Sequence, residues 1–336
     1  MRAVGLDFER RQLCEHELQE PGGPGSDEVL FRVHQVGVCG TDRDLAHFRF
    51  GAPPAGERFL TLGHEALGQV IACGSSVAAI RPGDWVVPTV RRSCASACLS
   101  CARGRADLCI DGGYQERGIL GLHGYFQDYA KDNAIDLVAV PESILDVAVL
   151  LEPLSVVEKA IEVALRYHEP GVQSAIVLGA GTVGLLSALA LQLRDLRVAI
   201  HSLEPEDSPR AKLVHDAGLD YGGMKKADVV IEAAGAPEAI LRGAGMLAPL
   251  GVMVVLGAVD AQGVMPFAQM VVGNQTMAGS VNASPGAWRD AVADLTKMPR
   301  EILKRSIHRV GRHAYRDSIL APPVFRAAPK VVHMLK

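Results

Sequence analysis

The chain has 336 residues, 49% of them apolar and 21% charged, with 35 glycines. That length suggests about two domains, and the composition excludes disordered and collagen-like chains. The 34 lysines and arginines against 38 acids leave a net charge of −4, so nucleic acid and anionic membranes are not expected partners.

In chain order, the opening MRAVGLDFERRQL places Asp7, Glu9, Arg10 and Arg11 where a secretory leader needs its apolar core, so a cytoplasmic protein is expected. Up to about residue 142 the sequence carries short β-forming runs, VLFRVHQVGVCG, LGHEALGQVIACG and RPGDWVVPTV, broken by glycine and proline. They predict a small antiparallel barrel or sandwich with few helices. After Pro153 the pattern changes to alternation: helix LSVVEKAIEVALRY, strand AIVLG, helix VGLLSALALQL, strand RVAIHS, helix SPRAKLVHDAG, strand DVVIEAAG, helix PEAILRGAGML and strand VMVVLGA. This predicts an α/β fold with a doubly wound parallel sheet. Residues 171–193 carry no charge, but three glycines divide them into strand, turn and buried helix rather than a membrane span. From about Asn282 the chain is polar and irregular, with a helix near 286–295, and a return to the first domain is expected.

The turn in IVLGAGTVGLLSAL is G-x-G-x-x-G, placed between a strand and a helix. Gly179 permits the tight turn, Gly181 lets a pyrophosphate approach the backbone, and Gly184 lets helix and strand pack closely. With Thr182 and Val183 these residues are the expected cofactor contacts, the phosphates lying at a helix N-terminus. The motif requires an acid about 20 residues on, for the ribose hydroxyls, and Glu204 is there. The alternative is that Glu204 only opens a solvated acidic loop with Glu206 and Asp207.

Seven cysteines, an odd number, argue for thiolate ligands or buried thiols over a disulfide framework. Cys94, Cys98, Cys101 and Cys109 concentrate four soft ligands in one lobe, suited to a closed and therefore structural zinc site. A nucleic-acid-gripping zinc ribbon is the rival reading, against which the overall acidity counts. A second group is dispersed: Cys39 in GVCGTD, His64 and Glu65 in LGHEALG, and Glu152 in LLEPLS. Thiolate, imidazole and carboxylate leave a position for water or substrate, as a catalytic zinc requires.

The order GVCGTD, GHEALGQV, four-cysteine lobe, EPLSVVEKA and VLGAGTVG resembles the zinc-dependent medium-chain dehydrogenases over essentially the whole chain. CGTDRDL, VVPTVRR, GRADLC, GGYQERGI followed by HGY, EPLSVVEKA and GSVNA make it most similar to the glucose dehydrogenase branch. The resemblance implies a GroES-like β-barrel catalytic domain (1–153), a Rossmann dinucleotide-binding domain (154–281) and a C-terminal segment (282–336) completing the first. It implies a catalytic zinc on Cys39 and His64, with Glu65 and Glu152 bound directly or through water. Thr41 matches the hydroxyl that meets the reacting alcohol, and Glu116 and Asn282 match positions that hold sugar hydroxyls or the nicotinamide region. The expected reaction is hydride transfer from a polyol or aldose hydroxyl to NAD(P)+. NAD is favoured because Glu204 would repel a 2′-phosphate and Leu203 stands where several relatives have arginine. Two alternatives are a dehydrogenase of a simpler secondary alcohol, supported by Val90 where sugar-specific relatives can carry Asn, and a dinucleotide-binding protein without turnover. A homodimer or homotetramer is implied, with VMVVLGA or QTMAGSVNA as pairing edges. The first interval of the lobe has three residues where the family normally has two.

Overall fold

The computed structural model describes all residues except 169–170, 260–262, 322–327 and 336. Contacts divide the chain into two units, the first comprising 1–152 with the described residues 307–321 and 330–335, the second Pro153–Ser306 with 328–329.

In the first unit, β1 (Arg2–Asp7), β2 (Gln12–Glu17), β3 (Glu28–Val38), helix α1 (Gly40–Ala46), β4 (Phe59–Thr61), β5 (Glu65–Cys73) and β6 (Trp85–Pro88) follow one another. The cysteine lobe is flanked by β7 (Arg91–Arg92), β8 (Gln115–Arg117) and β9 (Gly121–Leu122), and β10 (Tyr129–Asn133) and β11 (Leu137–Ala139) come next. β2, β1 and β4 form one sheet and β7, β8 and β9 another. Alternating inward side chains of β3 bury Val29, Phe31 and Val33 against Tyr125 and Phe126, the centre of the barrel core.

The second unit opens with α2 (Leu151–Tyr167), β12 (Ser174–Leu178), α3 (Thr182–Gln192), β13 (Arg197–His201), α4 (Pro209–Asp216), β14 (Asp220–Tyr221), β15 (Ala227–Glu232) and α5 (Pro237–Gly245). It continues through β16 (Leu247–Val255), α6 (Phe267–Gly273), β17 (Thr276–Gly279), α7 (Pro285–Leu295) and α8 (Arg300–Arg305). Its six strands are parallel in the order β14-β13-β12-β15-β16-β17, with the crossovers a doubly wound sheet needs. The expected alternation is present, and α6 and the short β14 are added to it.

The chain then returns to the first unit as β18 (Ile307–Gly311), α9 (Tyr315–Leu320) and β19 (Lys330–Met334). β19 lies between β3 and β18 and so completes a seven-stranded sheet with β5, β6, β10 and β11. The return thus begins at Ile307, not at the expected residue 282. The difference has a physical cause. Arg194, just beyond α3, donates to Asp294 of α7 at 2.9 Å and to Glu158 of α2 at 2.6 Å, while Ser284 caps α7 and donates to Glu162 at 3.0 Å. These bonds hold the polar stretch after 282 on the second unit. No described helix is long and apolar enough to cross a membrane.

Candidate functional site

Strand register assembles the first ligand group. β3 pairs antiparallel with β5 so that Gly37 faces Glu65, which places Cys39, just past the end of β3, beside His64, just before β5. The sulfur of Cys39, a ring nitrogen of His64 and a carboxylate oxygen of Glu65 lie within 4.8 Å of one another. Room for Glu65 exists because Gly37 has no side chain: a Cβ there would stand 2.0 Å from Oε2 of Glu65.

Cys39 also caps α1. Its backbone N–H donates to Oδ2 of Asp42 at 2.8 Å, and its sulfur accepts from the Thr41 N–H at 3.4 Å. Asp42 turns its other oxygen, 3.5 Å away, toward Nδ1 of His64. Burial opposes a charge on His64, but Asp42 and the Cys39 sulfur overcome it and raise the imidazole well above its usual value. Glu152, in the first turn of α2, is pushed up to about 7 by burial and by the neighbouring Glu65 carboxylate. A soft sulfur, an imidazole and one carboxylate, with Glu152 as a neighbouring second carboxylate, are a donor set that fits Zn2+ with one position open.

One residue of this cluster was not anticipated. β19 pairs with β3 so that Val331 faces Val38, which sets Lys330 next to the ligand loop. Its buried Nζ lies 2.6 and 2.5 Å from the two oxygens of Glu65 and donates to the Val38 carbonyl at 3.2 Å. Glu65 thus faces both the cation and the Cys39–His64 pair. Cys39 and Asp42 stand at the C-x-x-D spacing of a capping box at the start of α1.

The four lobe sulfurs also lie within 4.8 Å of one another, with Cys98 and Cys109 sulfurs 3.9 Å apart. Four sulfurs at the usual ~2.3 Å from zinc would stand about 3.8 Å apart, so the cluster fits the ion. The longer first interval is absorbed by Ala97, which takes a left-handed φ of 49° while its N–H bonds the Cys94 carbonyl at 3.0 Å. Backbone N–H groups of Cys101 and Ile110 hold the Cys98 thiol down to about 6, toward the ligating thiolate.

In the second unit the glycine turn has the mechanics its spacing demands. Gly179 has φ of 111°, a Cβ at Gly184 would meet the Gly179 carbonyl at 1.9 Å, and Gly181 faces open space. The turn lines a cleft of about 500 Å³ with His201, Leu203, Glu204, Arg210 and Arg242. Glu204 is at the expected place but is engaged: Arg210 donates to its Oε1 at 3.0 Å. Thr182 begins α3 with its hydroxyl donating to the Pro329 carbonyl at 2.7 Å, and Val183 follows it on the helix. Glu232 was missed. From the end of β15 it accepts the N–H groups of Ala234, Gly235 and Gly257, at 2.9, 2.7 and 3.0 Å, and so ties together the loops after β15 and β16.

Glu116 lies on β8 opposite Arg91, and Asn282 takes a left-handed φ of 62° after β17. Glu116 belongs to the first unit and Asn282 to the second.

A barrel with an open thiolate–imidazole–carboxylate cluster, in the same chain as a parallel sheet with a dinucleotide turn, defines the class of metal-assisted nicotinamide dehydrogenases. Residues 25–142 match the model of the alcohol dehydrogenase GroES-like domain, and residues 145–317 that of the glucose dehydrogenase C-terminus. The chain is 42% identical over 293 residues to glucose 1-dehydrogenase 2 of Vulcanisaeta moutnovskia, covering 83% of this chain and 82% of that protein. It is 40% identical over 294 residues to glucose 1-dehydrogenase of Thermoproteus tenax, covering 83% of each. The solved structure of Haloferax mediterranei glucose dehydrogenase in complex with NADP, Zn and gluconolactone superposes with a TM-score of 0.88 at 29% identity, over 100% of this chain and 99% of that one. The chain belongs to the zinc-dependent medium-chain dehydrogenase family, in its glucose dehydrogenase branch.

Proposed function

We propose that this protein oxidises the C1 hydroxyl of an aldose such as glucose to the lactone, passing hydride to NAD(P)+ and releasing a proton. The observation that carries the reading is the open Cys39–His64–Glu65 cluster in a chain so similar to glucose 1-dehydrogenases. Zinc held by Cys39, His64 and a carboxylate of Glu65 or Glu152 supplies a positive centre that polarises the sugar hydroxyl. The chain's own residues do the rest. Asp42 orients His64, Lys330 balances the charge of Glu65, and the hydroxyl of Thr41, the second residue of α1, accepts the substrate's hydroxyl proton while passing its own outward. Glu116 accepts sugar hydroxyls, a contact that penalises substrates lacking them, and Asn282 serves sugar hydroxyls or the nicotinamide region. In the nucleotide cleft the glycine turn takes the pyrophosphate and Glu204 the ribose hydroxyls. The lobe cysteines hold a second, structural zinc, and the all-thiol chemistry suits the reducing cytoplasm.

The test combines metal content and turnover. Wild type should carry two zinc ions per chain; Cys39→Ser should keep the lobe ion and lose turnover, and a fully active zinc-free Cys39→Ser enzyme would overturn the reading. Aldoses should exceed simple secondary alcohols in kcat/KM.

We also assign self-association to the second unit. β17 is an edge strand, and beside it α6 exposes Phe267 (67%), Val271 (77%) and Val272 (84%), an apolar surface suited to a second copy. Light scattering should give a dimer or tetramer that Val272→Glu weakens.

A further inference from the structure

Arg91 stands at a junction that the proposed reaction leaves without a role. It precedes the lobe by three residues and lies directly opposite Glu116 in the β7–β8 pair. Its Nε donates to Oε1 of Glu116 at 2.9 Å, with both side chains largely buried at 7% and 12% exposure. Its guanidinium sits 3.7 Å from the centre of the Tyr114 ring, a stacked position that fixes the plane of the fork. The remaining arm reaches the other end of the lobe, where NH1 points to the Asp107 carbonyl at 3.4 Å. The same residue is also tied through its side chain. The Asp107 carboxylate is clasped by Arg105 through two bonds of 2.8 Å, and Cys109 follows two residues later.

The segment so gripped lies close to the ligand cluster. A Cβ at Gly118, two residues past Glu116, would meet the Gly63 oxygen at 2.8 Å, and Gly63 immediately precedes His64. Glu116 is therefore on a strand packed against the His64 segment, with its carboxylate aimed by a guanidinium anchored in the cysteine lobe.

We propose that Arg91 is a positioning residue that transmits the order of the cysteine lobe to Glu116, so that the lobe sets sugar affinity as well as stability. This rests on the reading of Glu116 as a sugar contact. The buried ion pair fixes the direction of the Glu116 carboxylate and keeps it from swinging to solvent. A lobe that loses its metal lets the Asp107 carbonyl move, and Arg91 moves with it.

The experiment uses the zinc-loaded full chain. Arg91→Ala should raise KM for glucose about tenfold, with a smaller change in kcat and an unchanged Kd for NADH read by its fluorescence. Arg91→Lys should recover part of the loss. Hydrogen exchange of residues 114–117 should quicken in Arg91→Ala and equally in Cys101→Ser, a readout that needs no substrate. A folded Arg91→Ala enzyme with wild-type KM, or a Cys101→Ser protein with unchanged exchange at 114–117, overturns the link. Should Arg91→Ala fail to fold, the Cys101→Ser exchange result decides alone. Glu116→Gln separates the two ideas. Unchanged KM in that variant removes Glu116 from the sugar site, while the exchange measurements still decide whether the lobe orders its strand.

Discussion

Lys330 is the side chain on which the charge balance of the ligand cluster turns. Removing its ammonium leaves the Glu65 carboxylate buried beside Glu152 without a countercharge, a loss of about 3 kcal/mol for a broken buried pair. Lys330→Met should lower the unfolding free energy of the metal-free protein, read from urea denaturation, by that amount, and zinc should restore much of it. Equal loss with and without zinc would mean that Lys330 serves packing alone. Arg210 acts similarly in the nucleotide cleft. Glu204 alone would exclude a 2′-phosphate, but the guanidinium bonded to it offsets that charge, and its Nε has no partner. Arg210→Ala should therefore raise the ratio of kcat/KM for NAD+ over NADP+ by about tenfold, and an unchanged ratio would exclude Arg210 from cofactor choice.

At the scale of elements, what the sequence disclosed depended on how local the cause was. The glycine turn, the acid at 204, the cysteine lobe and the alternation after Pro153 are written in short windows, since each depends on spacing along one strand or helix. Lys330 was hidden because its place is set by β19 pairing with β3, a partner almost the whole chain away. Glu232 was hidden because an acid closing a buried strand looks like the edge of a loop. The stretch after 282 misled because its polarity comes from bonds to Arg194 and Glu162, not from a change of unit. Register itself is open to test at Gly37. An added methyl would collide with Glu65, so Gly37→Ala should cost about 2–3 kcal/mol of stability and reduce zinc from two ions per chain toward one. Normal zinc content with normal stability would show that Glu65 has room to move.

For the whole molecule, a buried imidazole is a source of acid sensitivity. Burial pushes His333 down to about 4, while its ring is held by Ser318 and the Gly311 carbonyl. The unfolded chain takes up this proton near pH 6.5 and the folded one only near 4, so the stability this neutral ring contributes is complete above pH 6.5 and lost on descent to 4. The loss is about 3 kcal/mol or less. His333→Gln should flatten that part of the pH–stability curve measured by urea unfolding; a parallel curve would assign the acid sensitivity to other groups.

β19 gives the barrel a late arrival. The second unit is built mainly from one stretch of chain, 153–306, with 328–329 added, whereas the first spans both ends, its central sheet lacking one of the strands beside β3 until residue 330 has been made. During synthesis, Cys39, His64 and Glu65 emerge early, and the lysine that neutralises Glu65 comes last. The ribosome thus releases a nucleotide-binding unit able to fold before the metal site is charge-balanced. A chain stopped before Lys330 would keep the β3–β5 pairing that gathers Cys39, His64 and Glu65 but leave Glu65 without its countercharge.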